Sequence, residues 1–235
     1  MNIETTNAQN TTETAIGFIP CYQLPFLSLF HADCMEIMKQ YPDKYFDLAI
    51  VDPPYGLTDK ITLGGGIRKK YNKKYNWDNE TPNFEYFIEL KRVSKNQIIW
   101  GANYFFEYLG NTRCVLSWDK MQEFSGADFE MAWTSFDSPA KTFRLSRIEA
   151  HGGGVIHPTQ KPSILYSWIL RKYAKENFKI LDTHFGSGSI ALAVDKANRL
   201  DKMNLHLTAC EIDKEYIDKA IKRISEIIKQ GTLSF

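Results

Sequence analysis

From residue 27 onward, short apolar runs alternate with segments whose apolar residues recur at helical spacing. Phe46-Asp47-Leu48-Ala49-Ile50-Val51 is almost unbroken in its apolar character, as in a parallel strand covered on both faces. Residues 27–31, 97–100, 114–118, 178–182 and 205–213 also read as strands. Residues 129–136 alternate, which suits an antiparallel strand at the sheet edge. Helices are expected over 34–40, which Asp33 is placed to cap, and over 84–93, 162–173, 189–198 and 214–230. Two strand–helix–strand units result, one running into Asp52 and one into Asp213, so the class is α/β. Strands joined by such a crossover run the same way, which brings Asp33 and Asp52 to one edge of the sheet.

Two stretches break this pattern. Residues 56–82 carry Gly64-Gly65-Gly66 and then Arg68, Lys69, Lys70, Lys73 and Lys74 interleaved with Tyr71 and Tyr75. Residues 137–156 carry Lys141, Arg144, Arg147 and Gly152-Gly153-Gly154. Long unpatterned loops inside a compact domain are functional or disordered. Basic residues beside aromatic ones suit phosphate contact, against the plainer reading of a solvated charge run.

A chain of 235 residues with 43% hydrophobic content is one globular domain rather than a disordered segment. Residues 1–16 are rich in Thr, Asn and Glu, so residues 1–20 are expected to be a flexible lead and 21–235 the domain. The net charge of +1 confines any nucleic-acid surface to a local patch. Cys21, Cys34, Cys114 and Cys210 are scattered without a CxxC pair, which indicates free thiols in a reducing compartment and no zinc site. No apolar run reaches 18 residues and the N-terminus is polar, so a cytoplasmic protein without a membrane partner is expected.

The chemistry concentrates at strand ends. After Val51 come Asp52-Pro53-Pro54-Tyr55. Neither proline donates to a ladder, and Pro54 biases Pro53 towards an extended shape. The corner sits at the carboxyl end of a strand, where open α/β sheets bind ligands. A strand ending in a Pro-rich turn would explain four residues taken alone. The carboxylate, the carbonyl outside the ladder and the flat ring also suit the exocyclic amine of a stacked base.

In the second unit, Asp182 is followed by Thr183-His184-Phe185-Gly186-Ser187-Gly188-Ser189, a glycine turn opening a helix. Such turns bring backbone N–H groups close to a ligand. Glu211 ends the next strand, 23 residues after Gly188, where an acid holds ribose hydroxyls. The third spaced glycine of the dinucleotide fingerprint is missing, and Asp182 would repel a pyrophosphate. An amine-bearing, cationic nucleoside fits instead, and S-adenosylmethionine has that chemistry. Lys161, in His157-Pro158-Thr159-Gln160-Lys161-Pro162 at the opening of a helix, is placed to meet a carboxylate such as that of the methionine end. His157 has no partner that would make it a base.

Asp52-Pro53-Pro54-Tyr55, then residues 157–162, then Asp182 to Ser189 resemble, in that order, the β group of amino-methylating DNA methyltransferases. Phe30-His31-Ala32-Asp33-Cys34-Met35 is similar to the lead-in to the catalytic strand there. The resemblance implies a permuted class I S-adenosylmethionine-dependent methyltransferase, a Rossmann-like, seven-stranded, mostly parallel sheet flanked by helices. It implies catalysis at Asp52, Pro53, Pro54 and Tyr55. It implies a cofactor held by Asp33 at the adenine amine, Glu211 at the ribose, and Asp182 with Gly186 and Gly188 at the methionine end. Cys34, Asp52, Lys161, His184, Phe185, Ser187, Ser189 and Ile212 are implied to line the same site. DNA would be met by Arg68, Lys69, Lys70, Lys73, Lys74, Lys141, Arg144 and Arg147. The activity implied is methyl transfer to N6 of adenine in DNA after base flipping, without a metal. Asp52 favours adenine, because the family more often places Ser before Pro-Pro-Tyr for N4 of cytosine. The alternatives are that N4 reaction and an inactive DNA-binding relative. A second copy of the chain and a cognate restriction endonuclease are the implied partners. The chain departs from the family in having Asp182-Thr183-His184 for the common Asp-Pro-Phe, and Ser189 for Thr.

Overall fold

The computed structural model describes residues 17–56, 81–122, 127–150 and 160–232. Its strands are β1 (Tyr22–Leu24), β2 (Leu27–His31), β3 (Phe46–Val51), β4 (Ser94–Trp100), β5 (Val115–Asp119), β6 (Phe129–Thr134), β7 (Lys141–Arg144), β8 (Lys179–Asp182) and β9 (His206–Glu211). The α-helices are α1 (Cys34–Met38), α2 (Phe84–Val93), α3 (Phe106–Leu109), α4 (Arg147–Ala150), α5 (Ser163–Tyr173), α6 (Ser189–Asp201) and α7 (Lys214–Thr232), with a 3₁₀ turn at Ala102–Tyr104. All nine strands form one sheet in the order β1-β2-β9-β8-β3-β4-β6-β5-β7. Only β1/β2, β4/β6 and β5/β6 pair antiparallel.

The apolar run of β3 explains its central place. Leu48 and Ile50 face a core shared with Trp100, α5, α6 and α7, while Ala49 and Val51 face a second core shared with α1 and α2. Successive strand residues point to opposite faces, so an apolar run is what a doubly covered strand needs. Its one charge sits at the amino end. Asp47 accepts from the Lys179 backbone N–H at 2.9 Å and pairs with Lys95 at 2.6 Å, stitching β3 to β8 and β4. Asp33 caps α1, accepting from the Met35 N–H at 2.7 Å. The parallel run β2-β9-β8-β3-β4 delivers Asp33, Glu211, Asp182 and Asp52 to one carboxyl edge, in register with His31 opposite Glu211 and Asp182 opposite Ala209.

Three expectations change. Among the described residues the sheet has nine strands rather than seven, because β1 and β7 extend its two ends. Residues 129–136 do not form the edge: β6 lies between β4 and β5. Its polar position Glu130 pairs with two buried lysines, Lys120 and Lys161. Within 137–156, expected to be irregular, Lys141–Arg144 makes the edge strand and Arg147–Ala150 a helix. Lys141, Thr142 and Arg144 are exposed there while Phe143 packs on Trp168, with ring centroids 5.5 Å apart. Charges on an edge strand deter further pairing, so they do not argue against a strand.

The four thiols are free: Cys114 and Cys210 are buried, Cys34 is half-buried and Cys21 is exposed. Among the described residues no helix is long and apolar enough to cross a membrane, and no His, Cys, Asp and Glu group suits a metal ion.

Helix α7 supports the glycine turn from below. Ile224 is fully buried, and its Cδ1 lies 2.8 Å from where a Cβ on Gly188 would be. Replacing Ile224 by Ala should lower stability by about 2–5 kcal/mol in urea unfolding. A loss below about 1 kcal/mol would contradict this packing role.

Candidate active site

The corner after β3 is held by charge. Asp52 follows the strand, and the Tyr55 hydroxyl donates to Asp52 Oδ1. Lys161, whose side chain is 1% exposed, stands just before α5. Its Nζ donates to Asp52 Oδ2 at 2.5 Å, to Glu130 Oε2 at 3.1 Å and to the Tyr55 hydroxyl at 3.2 Å. An ammonium has three N–H donors, and all three are engaged. Trp100 and Tyr55 present ring faces to it, with centroids at 5.2 and 5.8 Å. Glu130 Oε1 pairs in turn with Lys120 at 2.8 Å. Asp52, Lys161, Glu130 and Lys120 thus form an alternating chain of charges.

Burial pushes the Asp52 carboxyl up, and the Lys161 charge opposes that rise. Burial acts against ionised Glu130 too, but Lys161 and Lys120 outweigh it and hold its carboxyl down to about 2. Burial lowers Lys161, and Asp52 and Glu130 more than reverse the effect. A lone buried lysine would lose its proton; two carboxylates keep this one charged.

The Tyr55 ring explains the residue opposite it. A Cβ at position 101 would lie 2.1 Å from Tyr55 Cε1, and Gly101 has φ +73°. Only glycine meets both demands. The 3₁₀ turn that follows sets Tyr104 against Tyr55, with centroids 4.9 Å apart and planes 16° from parallel.

On the neighbouring strands the acids are placed differently. Asp182, 3% exposed, accepts from the His184 N–H at 3.0 Å. Burial pushes its carboxyl up to about 8 against that bond, and the Asp52 and Glu211 charges add to the rise. Among the described residues no cation pairs with it. Gly186 and Gly188 have φ of 50° and 69° and open α6. Glu211 braces this turn: Oε2 accepts from Gly186 N–H at 2.9 Å, and Oε1 accepts from Ile212 and Asp213 N–H groups at 3.0 Å each. A carboxylate has about four acceptor sites, so capacity for a hydroxyl remains. Arg223 of α7 donates to the Ser187 carbonyl at 2.8 Å and to Ser189 Oγ at 3.1 Å. Thr183 bonds the Tyr86 hydroxyl at 2.7 Å and His184 Nδ1 at 2.9 Å, and burial pushes His184 down to about 4, leaving it neutral near pH 7. Asp33 is exposed, with one oxygen spent on the cap. Burial, then Asp33, pushes the Cys34 thiol up to about 12, so it is no nucleophile. A buried acid lacking a cation, a glycine cradle and an acid on the next strand together fit an amine-bearing nucleoside.

The structure gathers Asp33, Cys34, Asp52, Tyr55, Asp182, the 184–189 turn, Glu211 and Ile212 along one edge. Lys161 joins them with a partner other than expected. It meets carboxylates, but those of Asp52 and Glu130, and no donor is left for a methionine carboxylate. Arg144 ends β7 on the site edge, pairing with Asp119 at 3.2 Å. Lys141 begins that strand and so lies towards the opposite edge. Arg147 opens α4. Arg68, Lys69, Lys70, Lys73, Lys74 and residues 157–159 lie outside the described residues. Glu130, Lys120, Gly101 and Tyr104 were not anticipated. Glu130 did leave a trace, as the one charge inside the alternating run 129–136.

Comparison with known proteins bears on the family and the fold. The N6/N4-methyltransferase family model, described as DNA methylase, matches residues 68–222. The type II methyltransferase M.HinfI of Haemophilus influenzae is 28% identical, covering 85% of this chain and 68% of its own. M2.LlaDCHI of Lactococcus lactis subsp. cremoris is 22% identical, covering 88% and 92%. Among solved structures, the PvuII DNA methyltransferase (cytosine-N4-specific) superposes with a TM-score of 0.59 at 14% identity, covering 87% of this chain and 88% of that one. The M1.HpyAVI–SAM complex superposes with a TM-score of 0.53 at 20% identity, covering 84% and 99%. These two share the fold.

The Asp182 carboxyl gives a pH-dependent prediction. Below about pH 8 the free site holds a proton there. A cation binding beside it favours the ionised form, so binding expels that proton. Affinity for S-adenosylmethionine should therefore climb as pH rises from 6 towards 8 and then level off. Calorimetry at pH 7 in buffers of different ionisation enthalpy should register proton release. Asp182→Asn should bind more weakly and lose that release; proton release persisting in this variant would contradict the assignment.

Proposed function

The chain belongs to the N6/N4 DNA methylase family, and on that premise we propose that it transfers the methyl group of S-adenosylmethionine to N6 of adenine in DNA. The observation that carries this reading is Asp52, a carboxyl group just past the end of β3, paired with Lys161 at 2.5 Å and followed in the chain by Pro53 with its carbonyl acceptor. An amino group has two N–H donors, and the corner offers two acceptors for them.

Asp182, the turn at Gly186 and Gly188, Glu211 and Asp33 are the residues that would hold the cofactor, which supplies an electrophilic methyl group. The chain's own part is positioning. A base amine is inaccessible inside the duplex, so the base must leave the stack. Tyr55 then offers a ring face, and base stacking on an aromatic ring is worth about 1–3 kcal/mol. In the structure Tyr104 already covers one face of Tyr55. The two rings leave no room for a base between them, so a base stacking on that face displaces Tyr104. The lone pair of an aromatic amine is delocalised into its ring. Accepting its hydrogens at Asp52 and the Pro53 carbonyl favours a localised lone pair. Holding the amine in line is where most of the rate advantage arises.

DNA is the macromolecular partner, and the basic residues 68–74 and Arg144 are its phosphate contacts in this reading. A second copy of the chain, a cognate restriction endonuclease and action in the cytoplasm complete it.

Mass spectrometry of nucleosides from DNA incubated with enzyme and cofactor tests the proposal. N6-methyladenine is expected. N4-methylcytosine alone would overturn the choice of base, and no methylated base on varied DNA would overturn the function. Asp52→Ala should lower the transfer rate by about 100-fold or more while changing cofactor affinity by less than about twofold. A rate near that of the wild type would remove Asp52 from the reaction.

A further inference from the structure

We propose that Glu130 is a positioning residue for methyl transfer: by holding Lys161, it keeps the ammonium seated on Asp52 and Tyr55. Its activity arm rests on the function proposed above; its geometry does not.

Lys161 hangs on a four-carbon stem and can turn freely unless its head is fixed. Three acceptors fix it, and each comes from a different direction: Asp52 after β3, Tyr55 beyond the proline corner, and Glu130 on β6. Asp52 and Tyr55 are the groups the ammonium must organise, so neither can serve as its independent anchor. Glu130 is that anchor. It is fixed by its strand, whose neighbours on both sides are β4 and β5, and by Lys120 at 2.8 Å. Without it, one buried N–H donor loses its partner, and an unsatisfied buried donor turns towards whatever acceptor remains. The Tyr55 contact, at 3.2 Å the longest of the three, is the one such a shift would break first. Tyr55 would then lose the tie of its hydroxyl to the ammonium and keep its bond to Asp52. The cofactor residues Asp182, Gly186 and Glu211 make no described contact with Glu130, so the effect should fall on the transfer step and not on cofactor binding.

Removing Glu130 alone would also unbalance charge, leaving Lys120 and Lys161 against Asp52. The double variant Glu130→Met/Lys120→Met avoids this, because it deletes one carboxylate and one ammonium together. Replacing buried ion pairs with apolar side chains of similar volume is often neutral or stabilising. Glu130→Gln is the second variant, offering one amide oxygen to two ammonium groups.

Two readouts are needed. The first is the transfer rate at saturating DNA and S-adenosylmethionine, set beside cofactor affinity and thermal unfolding. The second needs no activity: labelling of the Lys161 amine by an acylating reagent, read by mass spectrometry. In the wild type Lys161 should resist labelling. In the double variant the rate should fall about tenfold or more, corresponding to about 1.4 kcal/mol of barrier. Labelling of Lys161 should rise, with cofactor affinity and unfolding temperature close to those of the wild type. Glu130→Gln should shift both readouts in the same direction by less. Wild-type rate and wild-type protection in both variants would overturn the proposal. So would a loss of rate matched by a loss of cofactor binding and of folding, which would mark Glu130 as a general brace. If the wild type itself transfers no methyl group, the proposed function falls, and Lys161 labelling still decides whether Glu130 positions the ammonium.

Discussion

A single buried ammonium sets the terms of this structure. Lys161 has three donors, almost no solvent, and three acceptors around it, two of them carboxylates. Desolvating a charge is expensive unless it is paired and hydrogen-bonded. That cost is met only if the tip of β3, the start of β6 and the entrance to α5 all stay in place. The proline corner, an interior strand and a helix N-terminus are thereby made into one object. Gly101 extends the constraint to β4, because only a residue without Cβ lets Tyr55 lie where its hydroxyl reaches both Asp52 and Lys161.

The same edge keeps two aspartates in opposite conditions. Asp52 and Asp182 stand at the ends of adjacent parallel strands, Asp52 half-buried and Asp182 buried. Asp52 has an ammonium against it and two donors on its oxygens. Among the described residues Asp182 has one backbone N–H and no cation, and its carboxyl rises to about 8. One site is already balanced and can accept neutral N–H donors; the other awaits a positive charge. Environments that push like groups apart in this way assign them different roles. In the proposed function the division runs along the sheet: β2, β9 and β8 would carry the cofactor half, and β3, β4 and β6 the target half.

What the sequence discloses is local. The apolar run of β3, the Asp33 cap, the glycine turn and the acid ending β9 each follow from residues within a few positions of one another, and each stands where the pattern places it. The missed features depend on partners far along the chain. Glu130 reads as the polar half of an alternating edge strand, and only the fold shows that Lys161, 31 residues later, lies beside it. Lys161 itself reads correctly as a lysine seeking a carboxylate. Its partner came from residue 52 instead of from a ligand. The strand at Lys141–Arg144 is hidden by its own charges, which suit a loop as well as an exposed edge.

In the proposed reaction an adenine amine, held at Asp52, takes a methyl group directly onto nitrogen. The most direct measurement uses S-adenosylmethionine labelled with ¹³C in its methyl group and DNA labelled with ¹⁵N at adenine N6. After incubation and digestion, a methyl carbon signal split by one-bond coupling to ¹⁵N is expected. A methyl signal without that coupling, from DNA otherwise shown to be methylated, would contradict it.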